Sequence, residues 1–204
     1  MSSTTVRSFR AADRDAVAKI CLLTGNDGAD ATGLYRREKL IADVFALPYV
    51  DLMPDLDLVV DTGDHVAGYL LAVADTRAFV ESYQKNWLPA FAAEYALVEP
   101  PATAEDRLIG IGYHPERMLI SELEEFPAHL HIDLLPELQG KGYGRRLIRS
   151  LLATLGEMNV PGVHLGVSET NVGARAFYAR LGFEPLPSSG PTSNLLGIRT
   201  DAKV

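Results

Sequence analysis

The residues best placed to do chemistry lie in one run, Leu134-Leu135-Pro136-Glu137-Leu138-Gln139-Gly140-Lys141-Gly142-Tyr143-Gly144-Arg145. An apolar, strand-like segment stops at Pro136. Three glycines then alternate, and an amphipathic helix follows at once. Glycine admits φ > 0 and lets a ligand approach the backbone closely. A helix start adds unpaired N–H groups and the positive end of a dipole. Together they form an anion site, most naturally for phosphate. Cations at a helix N-terminus oppose that dipole, so a phosphate partner would account for Lys141, Arg145 and Arg146. The spacing excludes two familiar loops. GxxxxGK[ST] is absent, and Gly140-x-Gly142-x-Gly144 is not GxGxxG.

A second block, Asn171-Val172-Gly173-Ala174-Arg175-Ala176-Phe177-Tyr178-Ala179-Arg180-Leu181-Gly182-Phe183, follows about thirty residues later, with a strand-like run between. Gln139-x-x-Gly142-x-Gly144 resembles the [QR]-x-x-G-x-[GA] pyrophosphate motif of the GNAT family of acetyl-CoA-dependent N-acetyltransferases. The second block resembles that family's N-x-x-A-x-x-F-Y-x-x-x-G-F segment. Close similarity spans Ile132 to Phe183. Thr24-Gly25-Asn26-Asp27-Gly28-Ala29-Asp30 and Tyr83-Gln84-Lys85-Asn86-Trp87-Leu88-Pro89 are also similar to stretches of the acetyltransferase-like domain that ends O-GlcNAcases.

The resemblance implies an acetyl-CoA co-substrate and no metal. The thioester arm would lie between two splayed parallel strands, against the backbone of Leu134 and Leu135. The pyrophosphate would lie over the N–H groups of Gly140, Gly142, Tyr143 and Gly144. Gln139, Lys141, Arg145, Asn171 and Phe177 complete the implied cofactor contacts. Tyr178 matches the family's general acid for the leaving thiolate. A phenol (pKa ~10) delivers its proton to a thiolate (~8.5) uphill by about 2 kcal/mol unless the site assists. The implied acceptor is a primary amine on a small molecule or a peptide. Deprotonating a lysine-like amine at pH 7 costs about 4.6 kcal/mol, so a base is expected. Asp133 and His131 project from one strand face, opposite Leu130, Ile132 and Leu134. Buried polar groups on a strand need partners, which makes Asp133 the first candidate base, with His131 and Glu169 behind it. Asn171 also fits a helix cap. Asp27 and Asp30 fit either an acceptor site or plain turn positions.

These groups need a scaffold. Val6 to Arg10 alternates like a strand, and Ala12 to Thr24 has the period of a helix that Asp13 caps. Cys21 lies near its apolar face and suits the core better than a nucleophile's role. Leu34 to Leu47 suggests a second helix. Asp57–Asp61 and Val66–Ala74 suggest a hairpin around Thr62-Gly63-Asp64. Arg77 to Tyr95 has helical content, with a kink expected at Pro89 and an aromatic stripe of Phe79, Tyr83, Trp87 and Phe91. Pro100 to Glu125 shows no clear period and suggests either pocket-shaping helices or a surface insertion. His129–Leu135 is a central strand, Gly142–Glu157 a long helix, Val163–Val167 a strand and Val172–Leu181 a helix that Gly182 ends. Leu195–Arg199 adds a final strand. The order is βααββ, an inserted segment at about 77–128, then βαβαβ. It implies one GNAT-like α/β domain over residues 1–204: a mixed, mostly antiparallel twisted sheet, a splayed parallel central pair, and helices on both faces.

Composition narrows the partners. The chain has 204 residues, 47% apolar, and a formal net charge of −8. It carries no basic footprint of the nucleic-acid kind and no apolar run that would span a membrane. Met1-Ser2-Ser3-Thr4-Thr5-Val6 lacks the pattern of a leader peptide. Cys21 is the single cysteine, so no internal disulfide is expected, and a reducing cytoplasm fits. A homodimer is compatible with the family resemblance, though no interface is evident. Two further readings stay open: a catalytically silent pseudo-acetyltransferase that binds a protein or CoA, and a CoA-regulated sensor.

Overall fold

A computed structural model describes residues 4–190 and 194–204. Residues 1–3, part of the stretch read for a leader peptide, lie outside the described residues. Seven strands form one open sheet in the order β1-β2-β3-β4-β5-β7-β6. They are β1 (Thr5–Ser8), β2 (Leu58–Asp61), β3 (Val66–Val73), β4 (Ala128–Leu134), β5 (Gly162–Val167), β6 (Glu184–Pro185) and β7 (Asn194–Arg199). Every neighbouring pair is antiparallel except β4–β5.

The β4–β5 pair decides the architecture. β4 pairs with β3 over six positions, from Gly68↔Leu134 to Val73↔His129. It pairs with β5 at two only, Ala128↔Val163 and His129↔His164. Beyond them the strands diverge while each keeps its outer neighbour.

Alternation along the strands gives the sheet two apolar faces. Leu70, Ala72, Leu130, Val163 and Leu165 pack under α7 (Tyr143–Glu157) and α8 (Val172–Leu181). On α7, Leu147, Ile148, Leu151, Leu152 and Leu155 share one stripe and are all buried, the 3-4 spacing of a core-facing helix. Its end is a left-handed turn at Asn159 (φ +58°), with Val160 N–H donating to Leu155 O at 2.9 Å. Gly182 (φ +89°) ends α8 the same way, with Phe183 N–H bonded to Tyr178 O at 3.1 Å.

Tyr69, Leu71 and Val73 face the other layer, formed by α1 (Arg14–Thr24), α2 (Lys39–Phe45), α3 (Leu47–Leu52), α4 (Thr76–Ser82), α5 (Leu88–Glu94) and α6 (Ala104–Tyr113). The helix expected over 34–47 begins only at Lys39, after turns at 34–38, breaks at Ala46 (φ −127°) and restarts as α3 with Pro48 in its first turn. The segment 77–95 is interrupted by a widened π-helical turn at Tyr83–Trp87. Pro89 starts α5, where its missing N–H costs nothing. The stretch 100–125 is no surface insertion. α6, capped by Thr103 with Asp106 reaching back, buries Leu108 and Ile109. Arg37 holds Glu105 at 3.1 Å, and Tyr83 donates to Gly112 O at 3.0 Å.

One buried acid sits outside this pattern. Asp57 is 1% exposed. Its Oδ1 accepts from Ala72 N–H at 3.0 Å, and its Oδ2 has no partner. Burial pushes its pKa up to about 8. A raised folded-state pKa means that the folded protein holds a proton the unfolded chain releases. The resulting stability is complete below about pH 4 and is lost as pH rises through about 8. Asp57→Asn is therefore expected to stabilise the protein more at pH 8 than at pH 5, by an unfolding free energy on the order of a few kcal/mol, read as a larger rise in melting temperature at pH 8. Equal shifts at both pH values, measured by calorimetry, would show that Asp57 ionises normally.

Candidate active site

The divergence of β4 from β5 exposes backbone. Leu135 N–H bonds Ala67 O at 2.9 Å, on the β3 side. In an antiparallel ladder, alternate residues turn their N–H and C=O to opposite edges. Asp133 therefore faces β3 with its backbone, while Ile132 and Leu134 present theirs to the gap. Leu134 O is taken by Gln139 Nε2 at 3.0 Å, and Leu134 N–H remains free there. Leu135 also accepts from Leu138 N–H at 2.9 Å. Both of its backbone groups are thus committed within the protein, which leaves the N–H groups of Ile132 and Leu134 turned to the gap.

Where β4 ends, one 3-10 turn (Pro136–Leu138) leads into the glycines. Gly140 and Gly142 have φ of +72° and +83°, and nothing lies within 4 Å of where a Cβ would stand. Gly142 precedes α7 and no side chain caps it. The first intrahelical bond is Arg146 N–H to Gly142 O at 3.1 Å. The N–H groups of Tyr143, Gly144 and Arg145 thus open outward at a positive helix end. A Cβ on Gly144 would lie 2.8 Å from Phe177 Cζ, so glycine there lets α8 close over the start of α7.

A cleft of about 900 Å³ follows this line. Its wall includes Leu134, Gln139, Gly140, Gly142, Tyr143, Gly144, Arg145, Asn171, Phe177, Asp133 and Tyr178. Lys141, which is exposed, and Leu135, which is half-buried, lie outside this wall. Arg146 stacks on the Tyr143 ring, 5.1 Å from its centroid. Asn171 accepts from Ala174 N–H at 3.0 Å and caps α8. An exposed chain of N–H groups ending in an open, positively polarised turn fits an extended arm that ends in phosphates.

A second cavity, of about 710 Å³, lies across the sheet under α2–α4. The two share Thr24, Asp27, Asp133, Asn171 and Tyr178 in their walls. Tyr178 packs edge-on to Phe177 and Phe183, each at 5.2 Å. Its hydroxyl has no hydrogen bond to any described residue, and burial pushes its pKa up. Asp133 accepts from the Tyr69 hydroxyl at 2.5 Å and lies 3.3 Å from His131 Nε2. Burial raises the Asp133 pKa, and the His131 charge and the Tyr69 bond oppose that rise. His131 Nδ1 is 2.8 Å from Phe45 O. A carbonyl only accepts, so Nδ1 carries hydrogen and Nε2, beside Asp133, is the nitrogen free to gain or lose a proton.

The same logic fixes His129. Thr76 donates to Pro127 O at 2.7 Å and so accepts from His129 Nδ1–H at 2.8 Å. His129 Nε2 is a buried lone pair with no partner, and burial pulls the ring's pKa far down. Asp27, in a left-handed turn (φ +51°), accepts from Thr170 Oγ1. Asp30 serves its own turn, accepting from Thr32 N–H at 2.8 Å. Asp30 and Glu169 are absent from both walls. Sequence reasoning did not single out Tyr69, although a phenol interrupting an apolar strand is a usable signal. Among the described residues, no group of three or more His, Cys, Asp or Glu is arranged to hold a metal. No helix among them is long and apolar enough to cross a membrane.

The acetyltransferase (GNAT) family model matches residues 53–183, and the chain belongs to that family of acetyltransferases. The crystal structure of SsHAT is 42% identical, with 97% of this chain and 98% of that one covered and a TM-score of 0.92. PaiA N-acetyltransferase of Thermoplasma acidophilum, solved with coenzyme A, is 12% identical with a TM-score of 0.60, over 97% of this chain and 99% of that one. YncA of Salmonella typhimurium, solved with its cofactor acetyl-CoA, is 15% identical with a TM-score of 0.56, over 98% and 95%. These last two share the fold.

The Tyr69 bond stabilises the charged form of Asp133. Tyr69→Phe is expected to raise the Asp133 pKa further. The titration of its side-chain carbon resonance by NMR reads the shift. An unchanged midpoint would mean that the phenol does not govern this carboxylate.

Proposed function

We propose that the chain transfers the acetyl group of acetyl-CoA to a primary amine, by direct attack of the amine on the thioester. The observation that carries this is the meeting of the two cavities at Asp133 and Tyr178. One cavity offers the extended donor edge and phosphate cradle, and the other a separate approach for an acceptor. Acetyl-CoA supplies an activated acyl group and a thiol leaving group.

The protein's own residues supply the rest. The N–H groups of Gly142, Tyr143, Gly144 and Arg145 hold negative charge at the start of α7. Gln139 holds the end of β4 through Leu134 O. Leu134 N–H donates into the gap and is placed to favour negative charge developing there. Asp133 with His131 Nε2 receives the proton that the ammonium must shed. The raised Asp133 pKa makes it a better acceptor near neutral pH than an ordinary carboxylate. Tyr178, which burial keeps protonated, is the proton source for the departing sulfur, a transfer that burial makes more uphill and that the developing thiolate charge must drive. The acceptor belongs to the cavity side lined by Phe45, Tyr49 and Tyr83.

Gly142→Glu places a bulky anion at φ +83° in the cradle and is expected to weaken acetyl-CoA binding more than tenfold by calorimetry, with melting temperature as the folding control. Tyr178→Phe is expected to keep the acetyl-CoA affinity and lower kcat for amine-dependent thiol release about 10- to 100-fold. Tight acetyl-CoA binding without thiol release from any amine or peptide in a broad panel would overturn the reading in favour of a binding module.

A further inference from the structure

The acceptor cavity is electrically lopsided. Its acids, Asp27 and Asp133, lie at the end it shares with the other cavity. Arg117 is the only lysine or arginine in its wall among the described residues, and it does not line the cleft of the glycine turn. It follows α6 in a 3-10 turn, Pro115–Met118. Its guanidinium stacks on Phe45, 5.7 Å from the ring centroid. Its protein hydrogen bond is a long one, from Nε to Ile111 O at 3.5 Å, and it forms no ion pair with a described residue. Arg117 is exposed, the neighbouring Glu116 carboxylate acts on its charge, and its two Nη groups have no hydrogen bond to a described residue, so they are available to a ligand.

The other ionisable groups on this wall do not compensate it. Burial keeps His129 and His164 neutral by lowering their pKa values, and keeps Tyr49 and Tyr83 neutral by raising theirs. The Arg117 charge acts on His129, Tyr49 and Tyr83, and the charge that acts on Asp133 is that of His131. The Phe45 ring lies between, 6.2 Å from the His131 ring. The cavity thus has an anionic end beside Tyr178 and a separate cationic end on Phe45.

We propose that the acceptor is a zwitterion: an amine that enters at Asp133, joined by a spacer of several carbons to a carboxylate that Arg117 binds through its two free Nη groups. A planar fork of donors matches a carboxylate. Among the described residues no second lysine or arginine joins Arg117 on this wall, as a phosphate dianion would favour. The spacer follows from the interposed Phe45 ring, which an α-amino acid is too short to pass. This inference rests on the acetyl-transfer reading for the fate of the amine, but not for the binding of the carboxylate.

The test uses γ-aminobutyrate, γ-aminobutyramide, glycine and the phosphonate analogue of γ-aminobutyrate. Each is titrated calorimetrically into the CoA-saturated protein and assayed for thiol release with acetyl-CoA. The expected result is at least a tenfold preference for γ-aminobutyrate over its amide and over glycine. Arg117→Gln is expected to lower the acid-to-amide ratio about 10- to 100-fold, the scale of a lost charge-assisted contact, and Arg117→Lys to restore part of it. A variant that merely unsettled the fold would weaken acid and amide alike. Equal binding of acid and amide by the wild type, or a ratio unmoved in Arg117→Gln, overturns the inference and leaves acetyl transfer standing. Preference for the phosphonate overturns the carboxylate. Arg117-dependent binding of the acid without thiol release upholds the inference and removes the enzymatic reading.

Discussion

Everything in this molecule is arranged around a strand edge left unpaired in the middle of a sheet. Backbone N–H and C=O groups away from water need partners, and sheets ordinarily supply them by closing every internal edge. Here β4 and β5 join at two positions and then part, while their outer ladders to β3 and β7 continue for six positions each. The two outer ladders stiffen the halves, so the gap does not collapse. The open edge of β4 is therefore a permanent feature, and a ligand that can pair like a strand fits it best.

That edge also sets the chemistry on either side. The gap connects the helix start at Gly142 with the layer of α1–α4, so the two cavities meet along residues that line both. Asp133 and Tyr178 occupy it because each belongs to an element bordering the gap. Their protonation follows from burial: a carboxylate that holds a proton more readily than usual, and a phenol that parts with one less readily. Burial shifts both groups the same way, so near neutral pH the phenol keeps its proton while the carboxylate becomes a stronger base than usual.

Sequence reached the gap well and the acceptor side poorly, for physical reasons. The turn at Gly140–Gly144 is legible because its backbone geometry demands glycine, and α7 and α8 because their apolar stripes and caps are local. The face shared by His131 and Asp133 follows from strand alternation. Gln139 shows the limit: its position in the motif is plain, yet its amide turns back to Leu134 O. The helix over 34–47 failed at Ala46 because Leu47 and Pro48 are apolar enough to continue the pattern, while the break serves tertiary packing. Tyr69, Thr24 and Arg117 approach the site through contacts distant in sequence, and no local period announces them. Arg117 is the extreme case, since it sits in a turn whose neighbours have no shared face.

The electrostatics of the acceptor side then acquire a reason. The chain is acidic overall, with a formal net charge of −8, and such a field favours cations near the surface. Inside the cavity, burial keeps His129 uncharged, and the tautomer that Thr76 imposes leaves it only a lone pair. Tyr49 and Tyr83 stay neutral for the same cause. A floor without charge lets the remaining charges act at short range in a poorly screening medium. For the zwitterion proposed above, discrimination would then rest on the spacing of the charges at the two ends, not on the sign of the surface around them.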